Sequence, residues 1–394
     1  MFQECRANGS SAGAESVVPA ATRFGTETTT IRSIVTRMPR WHTGLAGAML
    51  ALVVASGPAW AQERVTLRSD VLFYGDNTEF RNPFREGETI FGAAPRVALV
   101  ADITDRVRLS LGAFGNIRFG GDDAFELVRP IVALEIHGRR SSFVFGTLPG
   151  PHVGDPPGPD RTGPHGLLPP VQRETLAFDR PYEAGLQWNF SGSRLRHEMW
   201  LNWQRVNTAE HRERLDGGVA GDFGVSGPFA VPFQFHVVHE GGQLFASGPV
   251  NDSLAFATGV IIRGRTGPFD RASIEIYGLV SRFVPDRSVP ARNRNGGAFF
   301  GRLSAEDRGW RGHILFWRGD DFVKAEGDPN YQAIRRDGSR YRGVRDYAET
   351  GVTRTFRLAP EVRLEASARV HRVEKDYGYT YRIVAVAGAG WRLR

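Results

Sequence analysis

The chain has 394 residues, 41% hydrophobic and 11% aromatic, with mean hydropathy −0.31, Gly 47, Pro 23 and a single cysteine, Cys5. This composition excludes a bundle of membrane-spanning helices, a collagen-like or low-complexity scaffold, a disulfide framework and a cysteine-based metal site. The net charge of +7 rests on arginine, because Lys324 and Lys375 are the only lysines, and its even spread along the chain argues against a nucleic-acid surface.

Residues 1–37 are polar, lack periodicity and precede a second methionine, Met38, as an upstream extension from a misassigned start would. Residues 38–61 carry Arg40, an apolar stretch over 45–55, Pro58 and then Ala59-Trp60-Ala61. A positive start, a short apolar core and small residues before the cleavage point make this a secretory signal, cut after Ala61. The expected mature domain, 62–394, is exported and cysteine-free.

From Arg64 onward, apolar and polar residues alternate over long stretches and no amphipathic helix stands out. Over 361–373, Val362, Leu364, Ala366, Ala368 and Val370 fall on one face; Arg363, Glu365, Ser367, Arg369 and His371 fall on the other. The stretches 106–119 and 194–206 repeat the pattern. Sixteen strands are predicted, at 64–74, 89–103, 106–119, 126–137, 141–147, 181–191, 194–206, 216–226, 230–240, 253–265, 271–283, 297–306, 310–318, 344–358, 361–374 and 379–393. Every second connection is tight, as at Gly192-Ser193, Gly227-Pro228-Phe229 and Asp307-Arg308-Gly309. The others are mostly longer and polar, notably 148–180, 284–296 and 319–343.

Strands of this length suit a tilted crossing of a bilayer, and only a closed barrel satisfies the backbone there. The expected fold is all-β, a single antiparallel up-and-down transmembrane β-barrel of about 16 strands, with 14 to 18 as the range. Tight connections and termini then belong to the periplasmic side, long loops to the outside. Phe73, Tyr74, Phe119, Tyr182, Phe283, Phe316, Trp317, Phe356, Tyr379, Tyr381 and Trp391 sit near strand ends, where aromatic girdles are expected.

The terminal segment Gly388-Ala389-Gly390-Trp391-Arg392-Leu393 resembles the last-strand signal of Gram-negative outer-membrane β-barrels, with a glycine, an aromatic three residues on and a large apolar residue two further. It departs from them in ending on Leu393 and Arg394, where an aromatic is usual. The resemblance is porin-like and covers the mature chain as an architecture. It implies an outer-membrane location, contact with lipid and lipopolysaccharide, and insertion by the barrel-assembly machinery. In general diffusion porins the loop after the fifth strand folds into the barrel. Here the Pro-rich 148–180 holds that place, and Asp155, Asp160, Arg161, His165, Arg173 and Glu174 become constriction candidates; a mobile extracellular loop is the alternative.

Placing the polar face inward gives a lumen set of Arg68, Arg96, Arg108, Arg118, Arg129, Glu135, Glu183, Arg196, Glu198, Arg263, Arg265, Arg302, Arg311, Glu349, Arg363, Glu365 and Arg369. Guanidinium stays charged and matches carboxylate or phosphate, so a wet lumen of this kind favours anions. The alternative is that Arg and Glu pair across neighbouring strands and brace the wall. The expected function is passive diffusion of anionic or polyhydroxylated solutes. An exporter for an acidic polysaccharide and a non-conducting structural or adhesive barrel are the alternatives.

No catalytic activity, cofactor or metal is expected. His236 and His239, three apart on a strand, point to opposite faces, and no contiguous hydrolase motif occurs. A lipid-cleaving barrel would need a hydroxyl and a histidine together on the lipid face. The outward candidates Ser69 and His197 lie on strands six apart. The carboxylates of 317–329 lack EF-hand spacing and read as a polar loop. Oligomeric state is not encoded in any pattern found.

Overall fold

The structure, a computed structural model, describes residues 65–149 and 165–393. The proposed extension 1–37, the signal 38–61 and the loop candidates Asp155, Asp160 and Arg161 lie outside the described residues. Sixteen strands follow in chain order: β1 Val65–Arg81, β2 Glu86–Thr104, β3 Val107–Arg118, β4 Leu127–His137, β5 Ser141–Thr147, β6 Ala184–Ser191, β7 Leu195–Arg205 and β8 Glu213–Ser226. Then come β9 Phe229–Gly241, β10 Asn251–Thr266, β11 Phe269–Val284, β12 Arg294–Asp307, β13 Trp310–Asp320, β14 Val344–Ala359, β15 Val362–Val373 and β16 Asp376–Arg392. Each pairs antiparallel with its chain neighbour, and β16 closes onto β1 from Thr66↔Arg392 to Glu79↔Tyr379. Closure leaves no open edge, which is what a sheet in hydrocarbon requires.

Several strands outrun the alternating pattern. β1 continues through Gly75-Asp76-Asn77-Thr78-Glu79-Phe80-Arg81, still paired with β2 and β16. Beyond an apolar belt both faces of a strand can be wet, so the ladder continues where alternation has stopped. At the opposite end the hairpins are tight. Gly227 and Gly267 both take φ +54 and are each followed by proline, the glycine-first arrangement that matches the twist of a two-residue hairpin.

The outer face is apolar and exposed, with Val132, Leu134, Ile136, Ile274, Ile276, Leu303, Ile314 and Ile383 among its residues. The inner face is not simply wet. Trp200, Tyr277, Phe300, Leu315, Trp317 and Tyr347 point inward and pack against Leu167, Leu168, Val171, Phe322 and Tyr331 from the two longest loops. A second cluster joins Leu72, Tyr74, Ile90, Phe114 and Ile131 of β1–β4 to Phe178. Tyr74 and Trp317, expected in the girdle, are therefore core residues at 1% exposure. Phe73 and Phe316, one position away, hold the outward places.

Candidate functional site

Segments 165–180 and 321–333 lie inside the barrel near its long-loop end, tied to strands all round the wall. The Leu168 amide donates to Gln234 on β9 (2.9 Å), and the Val323 amide donates to Ser281 on β11 (3.1 Å). The amides of Arg173 and Asp328 donate to the carbonyls of Glu326 and Pro169, so the loops bind each other as well. A short helix, α1 (Leu176–Asp179), stacks Phe178 on Tyr74 with centroids 5.0 Å apart. Polar backbone can cross a barrel interior in this way only because the wall supplies partners for it.

Charge pairing fixes the same segments. His165 lies 2.6 Å from Glu198 and 3.0 Å from Glu183, with its ring stacked on Trp200 at 3.8 Å. Burial works to lower the His165 pKa, but the two carboxylates outweigh it and push it up to about 10, so the ring is a cation at neutral pH. Glu174 is gripped by Arg369 (2.8 Å) and Arg382 (2.6 Å). Burial works to raise its pKa, and the two guanidiniums hold it below the usual carboxylate range. Glu326 pairs with Arg214, and Asp328 pairs with Arg85. Lys324, fully buried, donates to the carbonyl and hydroxyl of Ser253 (3.3 and 3.4 Å). Burial pushes its amine down to about 7, with Asp216 opposing the fall and Arg214 adding to it.

Beneath these segments is a small recess lined by Arg302, Arg311, His313, Glu174, Glu349 and Arg369. Glu349 lies 2.7 Å from His313 and accepts from the Tyr347 hydroxyl at 2.6 Å. His371 reaches Thr380 at 2.8 Å, a hydroxyl–imidazole pair sealed by burial on both sides.

The predicted lumen residues other than Glu183 carry inward register, and many are already paired. Arg108 meets Asp102 (2.8 Å) and Glu135 (3.9 Å); Arg118 meets Asp179 and Glu126 (both 3.4 Å). Arg196 and Arg263 share Asp222, Arg302 holds Glu275 at 2.8 Å, and Arg363 holds Glu365 at 3.6 Å. Arg96 stands opposite Asp70 on the ladder, and Arg129 is exposed at the long-loop end of β4. For these arginines cross-strand bracing is the prevailing arrangement. At the short-turn mouth, Arg68 and Arg265 are exposed and form no ion pair among the described residues, and the unpredicted Arg271 and Arg357 join them. Glu183, predicted on a strand, lies just before β6 and serves His165 instead. Of the loop candidates, His165 and Glu174 are seated in the lumen; Arg173 pairs with Asp179 at 2.9 Å.

The two β9 histidines divide as their spacing predicts. His236 turns inward to Asp216 (2.9 Å), and His239 turns outward to Asp252 on β10 (2.7 Å). Outward His197 sits between Trp188 and Phe190. The acidic loop residues find cations of the chain itself, Asp321 pairing with Arg340 at 2.7 Å. Among the described residues no group of three or more His, Asp or Glu is placed to hold a metal ion.

A closed sixteen-strand barrel with an apolar outer face is a porin-like outer-membrane β-barrel. Its fold is similar to a loop-deleted OmpT, an outer-membrane protein of Vibrio cholerae, at 10% identity and TM-score 0.50, covering 82% of this chain and 99% of that one. OccK8 (OprE) of Pseudomonas aeruginosa (11% identity, 84% and 99% covered, TM-score 0.49) and an anion-selective porin of Comamonas acidovorans (10%, 82% and 99%, 0.48) are also similar. No curated protein matches the chain. The chain belongs to the lipid A 3'-O-deacylase-type family, whose sequence pattern matches residues 58–383. That match overturns the expectation that no enzymatic activity belongs here. The expectation rested on missing contiguous motifs, but on a barrel the side chains of one site come from different strands, far apart in sequence.

Proposed function

We propose that the protein is an outer-membrane channel, narrowed by its own loops and biased toward small anionic solutes. The observation that carries this reading is the set of exposed arginines Arg68, Arg265, Arg271 and Arg357 at the short-turn mouth, none within ion-pair distance of a carboxylate among the described residues, with a recess further in where Arg302, Arg311 and Arg369 stand beside Glu174 and Glu349. Fixed guanidinium charge in a confined aqueous path raises the local anion concentration. The seated loops argue for a restricted rather than a wide passage. In this reading the termini and short turns face the periplasm, and lipopolysaccharide surrounds the long-loop end. Ion selectivity of the full chain in a planar bilayer tests it: reversal potentials in a salt gradient should report anion preference, and Gln at positions 265, 271 and 357 should reduce it.

Family membership favours a second reading, hydrolysis of an acyl ester of an outer-membrane lipid. This requires acid–base machinery on the lipid-facing surface. Release of fatty acid from a labelled acylated glycolipid by the purified protein tests it; no release above a lipid-only control would remove it.

A further inference from the structure

We propose that His239 is the general base of an acyl-ester hydrolysis site on the outer face of the barrel, and that Asp252 positions it. The inference rests on the hydrolytic reading and gives that reading a place. His239 lies two residues before the end of β9, and the ladder sets it directly opposite Asp252. The Asp252 carboxylate accepts at 2.7 Å from Nδ1, the arrangement that leaves the lone pair on Nε2. Arg287 donates to both oxygens of that carboxylate, at 2.6 Å to Oδ2 and 2.9 Å to the Oδ1 that faces His239, and so helps fix its orientation. Nε2 makes no hydrogen bond among the described residues and lies over Gly241, where any Cβ would overlap it.

The surroundings suit a lipid. Directly below, Phe235 and Phe256 are register partners with both rings exposed on the outer face. Above, the loop after β9 presents Leu244, 77% exposed, beside Phe245. Arg282 stands exposed on the same face, opposite Leu254 of β10, within reach of an anionic headgroup. The substrate class is therefore an acyl ester of a negatively charged lipid in the leaflet around the long-loop end. The other outward strand histidine, His197, has aromatic neighbours and no carboxylate. His165, His236, His313 and His371 are turned into the lumen.

The step balances with water as the only co-reactant. Nε2 takes a proton from water as its oxygen bonds to the ester carbonyl carbon. Collapse of the tetrahedral adduct breaks the acyl–oxygen bond, and the imidazolium returns the proton to the leaving alcohol oxygen. A carboxylic acid and an alcohol result.

The test uses the full chain in vesicles containing a phosphorylated glycolipid labelled on an ester-linked acyl chain. Loss of the base should lower kcat about 10²–10⁴-fold in His239→Gln. Gly241→Ala should give a comparable loss by displacing the ring, while retaining wild-type heat-modifiable mobility on gels. Asp252→Asn should lower kcat with KM little changed, and Asp252→Glu should recover part of it. Arg282→Gln should raise KM for the phosphorylated lipid and not for a zwitterionic ester lipid. Wild-type release that persists within threefold in His239→Gln would overturn this site and leave the hydrolytic reading standing. No release by the wild type would overturn both. A matched loss of kcat and of folded protein in Asp252→Asn, without recovery in Asp252→Glu, would make the dyad a strut of the rim.

Discussion

His165 shows how a single residue sets the state of the lumen. Its cationic ring bridges Glu183, just before β6, and Glu198 of β7, and it begins the segment that crosses the barrel. Because its folded pKa of about 10 lies above the 6.5 of an ordinary histidine, the stabilisation is fully present below about pH 6.5 and is lost as pH rises through 10. Lys324 runs the other way. Its folded pKa of about 7 lies below 10.5, so the folded form binds fewer protons across that window, and its contribution improves as pH rises from 7 to 10.5. Glu183, Glu198 and Gln187 surround the first group; Asp216, Arg214 and Ser253 surround the second. Removing the opposing lysine should expose the histidine: in Lys324→Met, bilayer conductance should climb between pH 8 and 10.5, and His165→Asn should abolish that climb. Equal alkaline profiles in the two variants would show that His165 does not hold the segment.

At the scale of strands, the lipid face was the legible part. Val362, Leu364, Ala366 and Val370 alternate with Arg363, Glu365, Ser367 and Arg369 because hydrocarbon on one side and polar surroundings on the other impose period two. Ile314→Arg on that face should impair insertion, at a cost of roughly 2–4 kcal/mol near the midplane. Ser367→Arg, pointing inward, should be tolerated; heat-modifiable mobility of the two variants compares them. Where the lumen is filled by protein, the contrast between faces vanishes. Phe73-Tyr74 and Phe316-Trp317 are adjacent aromatics, and no local pattern says which ring meets lipid and which meets Phe178 or Phe322. The inward loops escape period analysis for the same reason, since their partners are single residues such as Gln234 and Ser281 on distant strands. His236 and His239 point to opposite faces, as a spacing of three on a strand requires, but the outward carboxylate at Asp252 lies across a loop and is invisible to spacing. Orientation is testable at this scale too. A tag at Gly338 should be accessible on intact cells and one at Gly267 should not; the reverse would invert the assignment.

For the molecule as a whole, a wide aqueous pore and a lumen obstructed by protein predict different currents. Ion pairs between the inserted segments and the wall, with the apolar cluster around Trp317 and Tyr331, favour small currents from the intact chain. The arginines at the short-turn mouth give those currents a sign, and salt should weaken the preference as the screening length falls to about 3 Å at 1 M. The most direct measurement is single-channel conductance and reversal potential of the full chain in a planar bilayer, repeated for a variant lacking residues 165–175. A small, anion-preferring conductance is expected for the wild type and a larger one, still anion-preferring, for the variant. Cation preference, or a conductance unchanged by removing the segment, would contradict it.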